Sequence, residues 1–247
     1  MIRTIWAYII GAIATPLFST AAIVGALFRA QPPYFDAVAR NWSKWILWAS
    51  GVRVRTEGLD IVALDQPQIF ASNHASWYDV FAIAAALPKR FRFVAKAELG
   101  LIPIFGQAWK AAGHISVDRK NRAAAVASLD AAGRLIRADR SSVVIFPEGT
   151  RSATGELLPF KKGAFMLALH THVDIVPVAV VGTRHVMPKG GWRVRSGEVI
   201  VRFGPAIQTA GYDEQNRDEL IRRVRSAIEE LLAAPARTQA IEHVRNR

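Results

Sequence analysis

From Ile5 to Phe28 the chain runs through 24 positions without a charged side chain. As one straight helix this run would measure about 36 Å, enough to cross a hydrocarbon core of about 30 Å. It is longer than the apolar core of a typical signal peptide, which disfavours a cleaved leader even though Ala21 and Ala22 are small residues of the kind found at cleavage sites. Pro16 lies near the middle of the run, where it removes a backbone donor and disfavours helical geometry at Thr15. The run therefore predicts a membrane-embedded segment, either a kinked span or a shallow two-part hairpin. Arg3 precedes it, and Arg29 and a basic remainder come after it; the positive-inside tendency favours the cytoplasmic face of the inner (plasma) membrane for the rest of the chain.

From Tyr34 to Trp48, apolar Phe35, Val38, Trp42, Trp45, Ile46 and Trp48 recur near a helical period with Arg40 and Lys44 between them. Two placements fit equally: a helix lying on the membrane surface, with tryptophans at the headgroups, or a core helix packed on a sheet. After Gly51 the pattern changes. Short β-rich runs (Val52 to Glu57, Gln68 to Ser72, Phe91 to Ala95, His114 to Val117, Ser142 to Phe146, Ile175 to Val181, Val199 to Phe203) alternate with helical patterns near Asp79 to Ala86, Arg122 to Ala138, Gly163 to Thr171 and Asp213 to Ala234. This alternation predicts an α/β fold with a mixed, largely parallel sheet flanked by helices. At 247 residues the expected organisation is an anchoring segment at 1–50, one domain at 51–234 and a basic, solvated tail at 235–247.

Lysine and arginine outnumber acidic residues by 32 to 20, a net charge of +12 that suits a polyanion, an anionic lipid or a phosphorylated substrate. Half of the excess is local. Between residues 87 and 122, Lys89, Arg90, Arg92, Lys96, Lys110, Arg119, Lys120 and Arg122 face only Glu98 and Asp118. The absence of cysteine rules out disulfides, a thiolate nucleophile and cysteine-ligated metal.

Two short constellations carry chemistry. The first, Asn73-His74-Ala75-Ser76-Trp77-Tyr78-Asp79, joins an apolar strand to an apolar helix. Five residues of ideal helix would rotate Asp79 about 140° away from His74, so the two meet only if a turn separates them. If they meet, Asp79 fixes the imidazole tautomer and leaves the other ring nitrogen free to act as a base towards a hydroxyl. The same residues also fit a capping box, Ser76 to Asp79, with His74 an ordinary loop histidine, and taken alone they leave both readings open. The second constellation is the strand-like run Val143 to Phe146 followed by Pro147-Glu148-Gly149-Thr150-Arg151-Ser152. A guanidinium at the C-terminal edge of a buried strand can grip a phosphate through paired hydrogen bonds, although a surface pair between Arg151 and Glu148 has the same spacing.

Asn73-His74-x-x-x-x-Asp79 together with Phe146-Pro147-Glu148-Gly149-Thr150-Arg151-Ser152 resembles the glycerolipid acyltransferases, specifically the 1-acylglycerol-3-phosphate acyltransferase branch. Two further blocks extend the resemblance: Lys96-Ala97-Glu98-Leu99 with Pro103, Gly106, Gly113 and Val117-Asp118-Arg119, and Ile175-Val176-Pro177-Val178. All four stand in the family order between residues 72 and about 182.

The resemblance implies His74 as catalytic base and Asp79 as its orienting acid. Lys96, Arg119 and Arg151 are implied around a glycerol phosphate, with Glu148, Gly149 and Thr150 completing the binding site. It implies transfer of a fatty acyl group from acyl-CoA or acyl carrier protein, as co-substrate, to the sn-2 hydroxyl of lysophosphatidic acid, with no metal and no bound cofactor. The alternatives are a related acyltransferase for another lysolipid or lyso-aminolipid, and a non-catalytic basic protein of the membrane surface or of nucleic acid. No recognition-helix or zinc-finger pattern supports a nucleic-acid partner. Lys89, Arg90 and Lys120 are expected on a solvated basic surface, and His114, His170, His172 and His185, which lack a metal-binding spacing, as structural or surface histidines.

Overall fold

A computed structural model describes residues 1–118, 128, 132–134, 136 and 138–235. Its centre is a seven-stranded sheet: β1 (Val52–Glu57), β2 (Ile69–Ser72), β3 (Phe91–Lys96), β4 (Ile115–Val117), β5 (Ser142–Ile145), β6 (Ile175–Val181) and β7 (Gly197–Phe203), in the spatial order β1-β7-β6-β2-β5-β3-β4. Every neighbouring pair is parallel except β6 with β7, so the sheet is mixed and largely parallel, as expected. Strands β6, β2, β5, β3 and β4 run the same way, and their C-terminal ends share one edge of the sheet.

The continuous apolar runs of the central strands reflect burial on both faces. Along β2, Phe70 enters one core while Ile69 and Ala71 enter the other; along β5, Val144 faces the first core and Val143 and Ile145 the second. The first core is closed by α2 (Pro32–Ala49) and α3 (Tyr78–Ala86), the second by α5 (Lys162–Thr171) and α7 (Arg217–Ala233). Helix α7 places Leu220, Val224 and Ile228 four residues apart, so one fully buried stripe faces the sheet. Two shorter helices are α4 (Phe105–Ala111) and α6 (Thr183–Val186). Most of the expected helix from Arg122 to Ala138 lies outside the described residues, as do Arg119, Lys120 and the tail from residue 236 onwards; Ala132 and Ile136 belong to the second core.

The N-terminal run forms a single helix, α1 (Ile2–Leu27), with Pro16 inside it, so the hairpin alternative does not hold. Its packing is inverted relative to a soluble amphipathic helix. The side turned inwards is small (Thr4, Ala7, Ala14, Ser19, Ala22, Gly25), whereas Ile5, Ile9, Ile13, Leu17, Val24 and Leu27 are exposed. Small residues allow close approach: a Cβ on Gly25 would lie 2.2 Å from the Tyr34 ring of α2. By length and hydropathy α1 is able to cross a membrane. Helix α2 packs on the core through Phe35, Ile46 and Leu47, while Trp45 and Trp48 remain exposed.

One expectation fails at the beginning of β3. Lys89 is not a solvated surface residue: it is buried, and its Nζ donates to the carbonyls of Ala63 (2.6 Å) and Gln66 (2.5 Å) and to Gln68 Oε1 (3.2 Å). Arg90 likewise donates to the Asp139 carbonyl at 2.7 Å. Backbone carbonyls left open where loops enter the sheet need donors, and these cations supply them.

Candidate active site

The C-terminal edge of the sheet carries the candidate site because β2 and β5, adjacent and parallel, end in the two sequence constellations. Residues 73–77 form the turn between β2 and α3, and that turn brings His74 back to Asp79. His74 Nδ1 lies 2.8 Å from Asp79 Oδ2. The same oxygen accepts the backbone N–H groups of Ala75 (2.7 Å) and Ser76 (2.8 Å), and the other oxygen accepts the hydroxyl of Thr183 at 2.5 Å. Asp79 is fully buried, so these donors replace water around its carboxylate. Asp79 thus accepts the N–H of Ser76 just before α3 and contacts the imidazole, whereas Ser76 Oγ accepts the N–H of Tyr78, so the expected capping box is only half formed. With the Nδ1 proton given to a carboxylate, Nε2 is the nitrogen left for a substrate.

The second constellation holds the first from beneath. Glu148 Oε1 accepts the backbone N–H of His74 at 2.7 Å, and the Ser152 N–H donates to the His74 carbonyl at 2.7 Å. Glu148 Oε2 accepts the N–H of Leu158 at 3.0 Å. Burial pushes the Glu148 carboxyl above its ordinary range, against the lowering effect of the hydrogen bonds from Leu158 and His74. The ring of Phe146 stacks on the imidazole, 4.0 Å between centroids and 19° between planes. Gly149 makes the turn after Glu148 at φ 72°, a region that side chains rarely adopt.

Above this platform opens a cleft of about 620 Å³. His74, Gly149, Thr150, Arg151 and Lys96 line it, opposite an apolar wall that includes Phe105 and Trp109. Arg151 lies over the Trp77 ring with its guanidinium carbon 4.8 Å from the centroid, and makes no ion pair among the described residues. The alternative pairing of Arg151 with Glu148 is excluded, because both Glu148 oxygens are turned inwards to backbone donors. Lys96 is exposed and pairs with Glu98 at 3.1 Å. A second, apolar pocket of only about 60 Å³ lies between α1, α2, α3 and α4 and shares Trp42, Phe105 and Trp109 with the cleft.

The expected site residues thus divide. His74, Lys96, Gly149, Thr150 and Arg151 face the cleft, Asp79 and Glu148 sit behind it, and Arg119 lies outside the described residues. Glu148, expected among the binding residues, is buried, and its Oε1 holds the His74 backbone N–H. Sequence reasoning did not assign Phe146, Trp77, Asn73 or Thr183. Asn73 exchanges two hydrogen bonds with the backbone of Val180 in β6, at 3.0 and 2.7 Å. Its place beside His74 was the only signal for it, and Thr183, 104 positions from Asp79, had none. Among the described residues, no group of three or more His, Asp or Glu side chains is placed to hold a metal ion.

Known proteins resemble this chain in sequence and in fold. The chain is 37% identical over 179 residues to a 1-acyl-sn-glycerol-3-phosphate acyltransferase of Limnanthes douglasii, covering 72% of this chain and 63% of that protein. It is 34% identical over 183 residues to the human 1-acyl-sn-glycerol-3-phosphate acyltransferase alpha, covering 74% of this chain and 65% of the human one. The matched segment therefore spans somewhat less than two thirds of the length of either relative. The crystal structure of the 1-acyl-sn-glycerophosphate acyltransferase PlsC from Thermotoga maritima superposes with a TM-score of 0.79 at 25% identity, covering 96% of this chain and 97% of that one. The pattern of the family described as Acyltransferase matches residues 53–181, from β1 to the end of β6. With more than half of its length matched, this chain belongs to the acyltransferase family.

Proposed function

We propose that the chain transfers a fatty acyl group from a thioester, acyl-CoA or acyl carrier protein, to the sn-2 hydroxyl of 1-acylglycerol-3-phosphate, forming phosphatidic acid. The observation that carries this reading is the His74–Asp79 contact at the wall of a cleft with cationic and apolar sides. His74 Nε2 takes the hydroxyl proton as the oxygen attacks the thioester carbonyl. The tetrahedral intermediate collapses, the carbon–sulfur bond breaks, and the imidazolium returns the proton to the departing thiolate. General base catalysis supplies about 10²–10⁴-fold, and the remainder falls to positioning of the two substrates. Arg151, over the Trp77 ring, offers a planar fork to a phosphomonoester, and Lys96 adds a second cation; Gly149 and Thr150 form the adjoining wall. The apolar wall of the cleft, with Trp42, Phe81, Phe105 and Trp109, suits an acyl chain.

Residues 1–50 act as the membrane anchor and 51–234 as the catalytic unit, on the cytoplasmic side where thioester donors are made. The support for anchoring is the inverted face of α1, bulky and apolar outside and small inside, which has a favourable partner in lipid. The purified full-length protein in phospholipid vesicles, given acyl-CoA or acyl carrier protein thioesters, should convert 1-acylglycerol-3-phosphate to phosphatidic acid much faster than it acylates lysophosphatidylcholine or a lyso-aminolipid. Equal or faster turnover of a zwitterionic acceptor would refute the acceptor assignment, and no transfer from any thioester would refute the reaction.

A further inference from the structure

One donor to Asp79 comes from a part of the chain to which the proposed mechanism gives no role. Asp79 Oδ2 takes all three of its hydrogen bonds from the loop that also carries His74. Oδ1 takes its own from Thr183, which is fully buried at the start of α6. The chain reaches that point through a sharp turn at Gly182, whose φ is 95° and where an added Cβ would lie 2.4 Å from the Glu198 carbonyl oxygen. Two other links join the same pair of segments. Asn73 and Val180 exchange hydrogen bonds, and Ser76 Oγ donates to the Met187 carbonyl at 2.7 Å. The end of β6 and the turn after it are therefore fixed to the His74 loop on both sides of Thr183.

We propose that Thr183 is a positioning residue for acyl transfer, its hydroxyl holding the Asp79 carboxylate in the rotation that keeps Oδ2 on His74 Nδ1. The terminal torsion of an aspartate is broad, so donors gathered on one oxygen leave the plane of the carboxylate free to turn. A donor on the second oxygen, supplied by a different element, removes that freedom. Burial makes the effect large, because no solvent is available to replace a lost hydroxyl. Thr183 lies behind Asp79 and is absent from the cleft wall, so its contribution belongs to turnover and not to substrate binding.

The inference rests on the acyl-transfer reading, and a readout independent of activity separates the two. Wild type, Thr183→Val and Thr183→Ser are compared by steady-state kinetics with each substrate varied, and by the imidazole ¹⁵N shifts of His74, assigned by their loss in His74→Ala. Thr183→Val should lower kcat roughly ten- to a hundred-fold, the effect of one lost hydrogen bond to a charged group, with both KM values within about two-fold. Its His74 shifts should move from a single Nδ1–H tautomer towards a mixture, and Thr183→Ser should restore both. If the valine variant does not fold, Thr183→Ala supplies the same comparison. A folded, hydroxyl-free variant with wild-type kcat and unchanged His74 shifts would overturn the proposal, as would a loss of activity that serine fails to rescue. If the wild type itself transfers no acyl group, the acyl-transfer reading fails while the nitrogen shifts still decide the role of Thr183.

Discussion

Strand β3 carries basic residues at both ends, and the two ends use them differently. Where the strand begins, Lys89 and Arg90 are committed to backbone carbonyls, and Arg92 is buried against Asp36 at 2.6 Å and near Asp139 at 3.4 Å. Burial pushes Lys89 down to about 8, a measure of how far it has been withdrawn from water. Arg40 and Arg140 add bonds to the carbonyls of Leu87 and Asp65. Where the strand ends, Lys96 is exposed, and Arg151 rests on an indole at the wall of an open cleft. A single basic stretch in the sequence is therefore two populations. At one edge of the sheet the charge closes the protein's own backbone, and at the other it lies at the wall of an open cleft.

The largest expected effect lies at the open edge. His74→Ala should lower kcat by about 10²–10⁴-fold while the thermal unfolding profile stays near that of the wild type, because the loop is held by its backbone bonds to Glu148 and Ser152. Near-normal turnover by a folded His74→Ala protein would remove the proposed base. Next, Arg151→Ala should raise KM for 1-acylglycerol-3-phosphate by roughly 1.5–3 kcal/mol of lost binding, with a smaller rise for Arg151→Lys, which keeps the charge and loses the fork. Were the rise to fall on the acyl donor instead, Arg151 would serve the carrier end of the cleft.

Smaller effects are expected away from the cleft, and they test the other half of the contrast. Lys89→Met should lower stability in urea by about 1–3 kcal/mol, since three oxygens lose a charged donor, yet leave kcat and both KM values unchanged. A ten-fold change in acceptor KM would show that the two edges are coupled. His114 gives the most gradual effect, spread over several pH units. Packed between Phe93 and Trp109 and accepting the Phe93 N–H at Nδ1, it is pushed by burial, with help from Arg92, down to about 3. The unfolded chain binds a proton near pH 6.5 that the folded chain refuses until about pH 3, so stability is fully present above 6.5 and is lost as pH falls through that window. The slope should approach roughly 1.4 kcal/mol per pH unit from this residue. His114→Gln should flatten the fall in denaturation midpoint between pH 6.5 and 4.5; an unchanged slope would place its cause elsewhere.

The strands were legible because burial on both faces demands unbroken apolar runs, as in Val143 to Ile145 and Ile175 to Val181, and β1 begins and ends where its sequence pattern does. The His74-to-Asp79 turn was also legible, because five residues between a strand and a helix leave only a turn to bring the two side chains together. These features are local. The spatial order of the strands, the reversal of β7 against β6, the inward turn of Glu148 and the closure of open carbonyls by Lys89 depend on which distant segments come to lie side by side. So does the bond from Thr183 to Asp79, which exists only because β6 lies beside β2 in the sheet and the chain turns at Gly182. Sequence periodicity records which face of each element is buried, and only the packing of the sheet decides which polar groups meet at its edge.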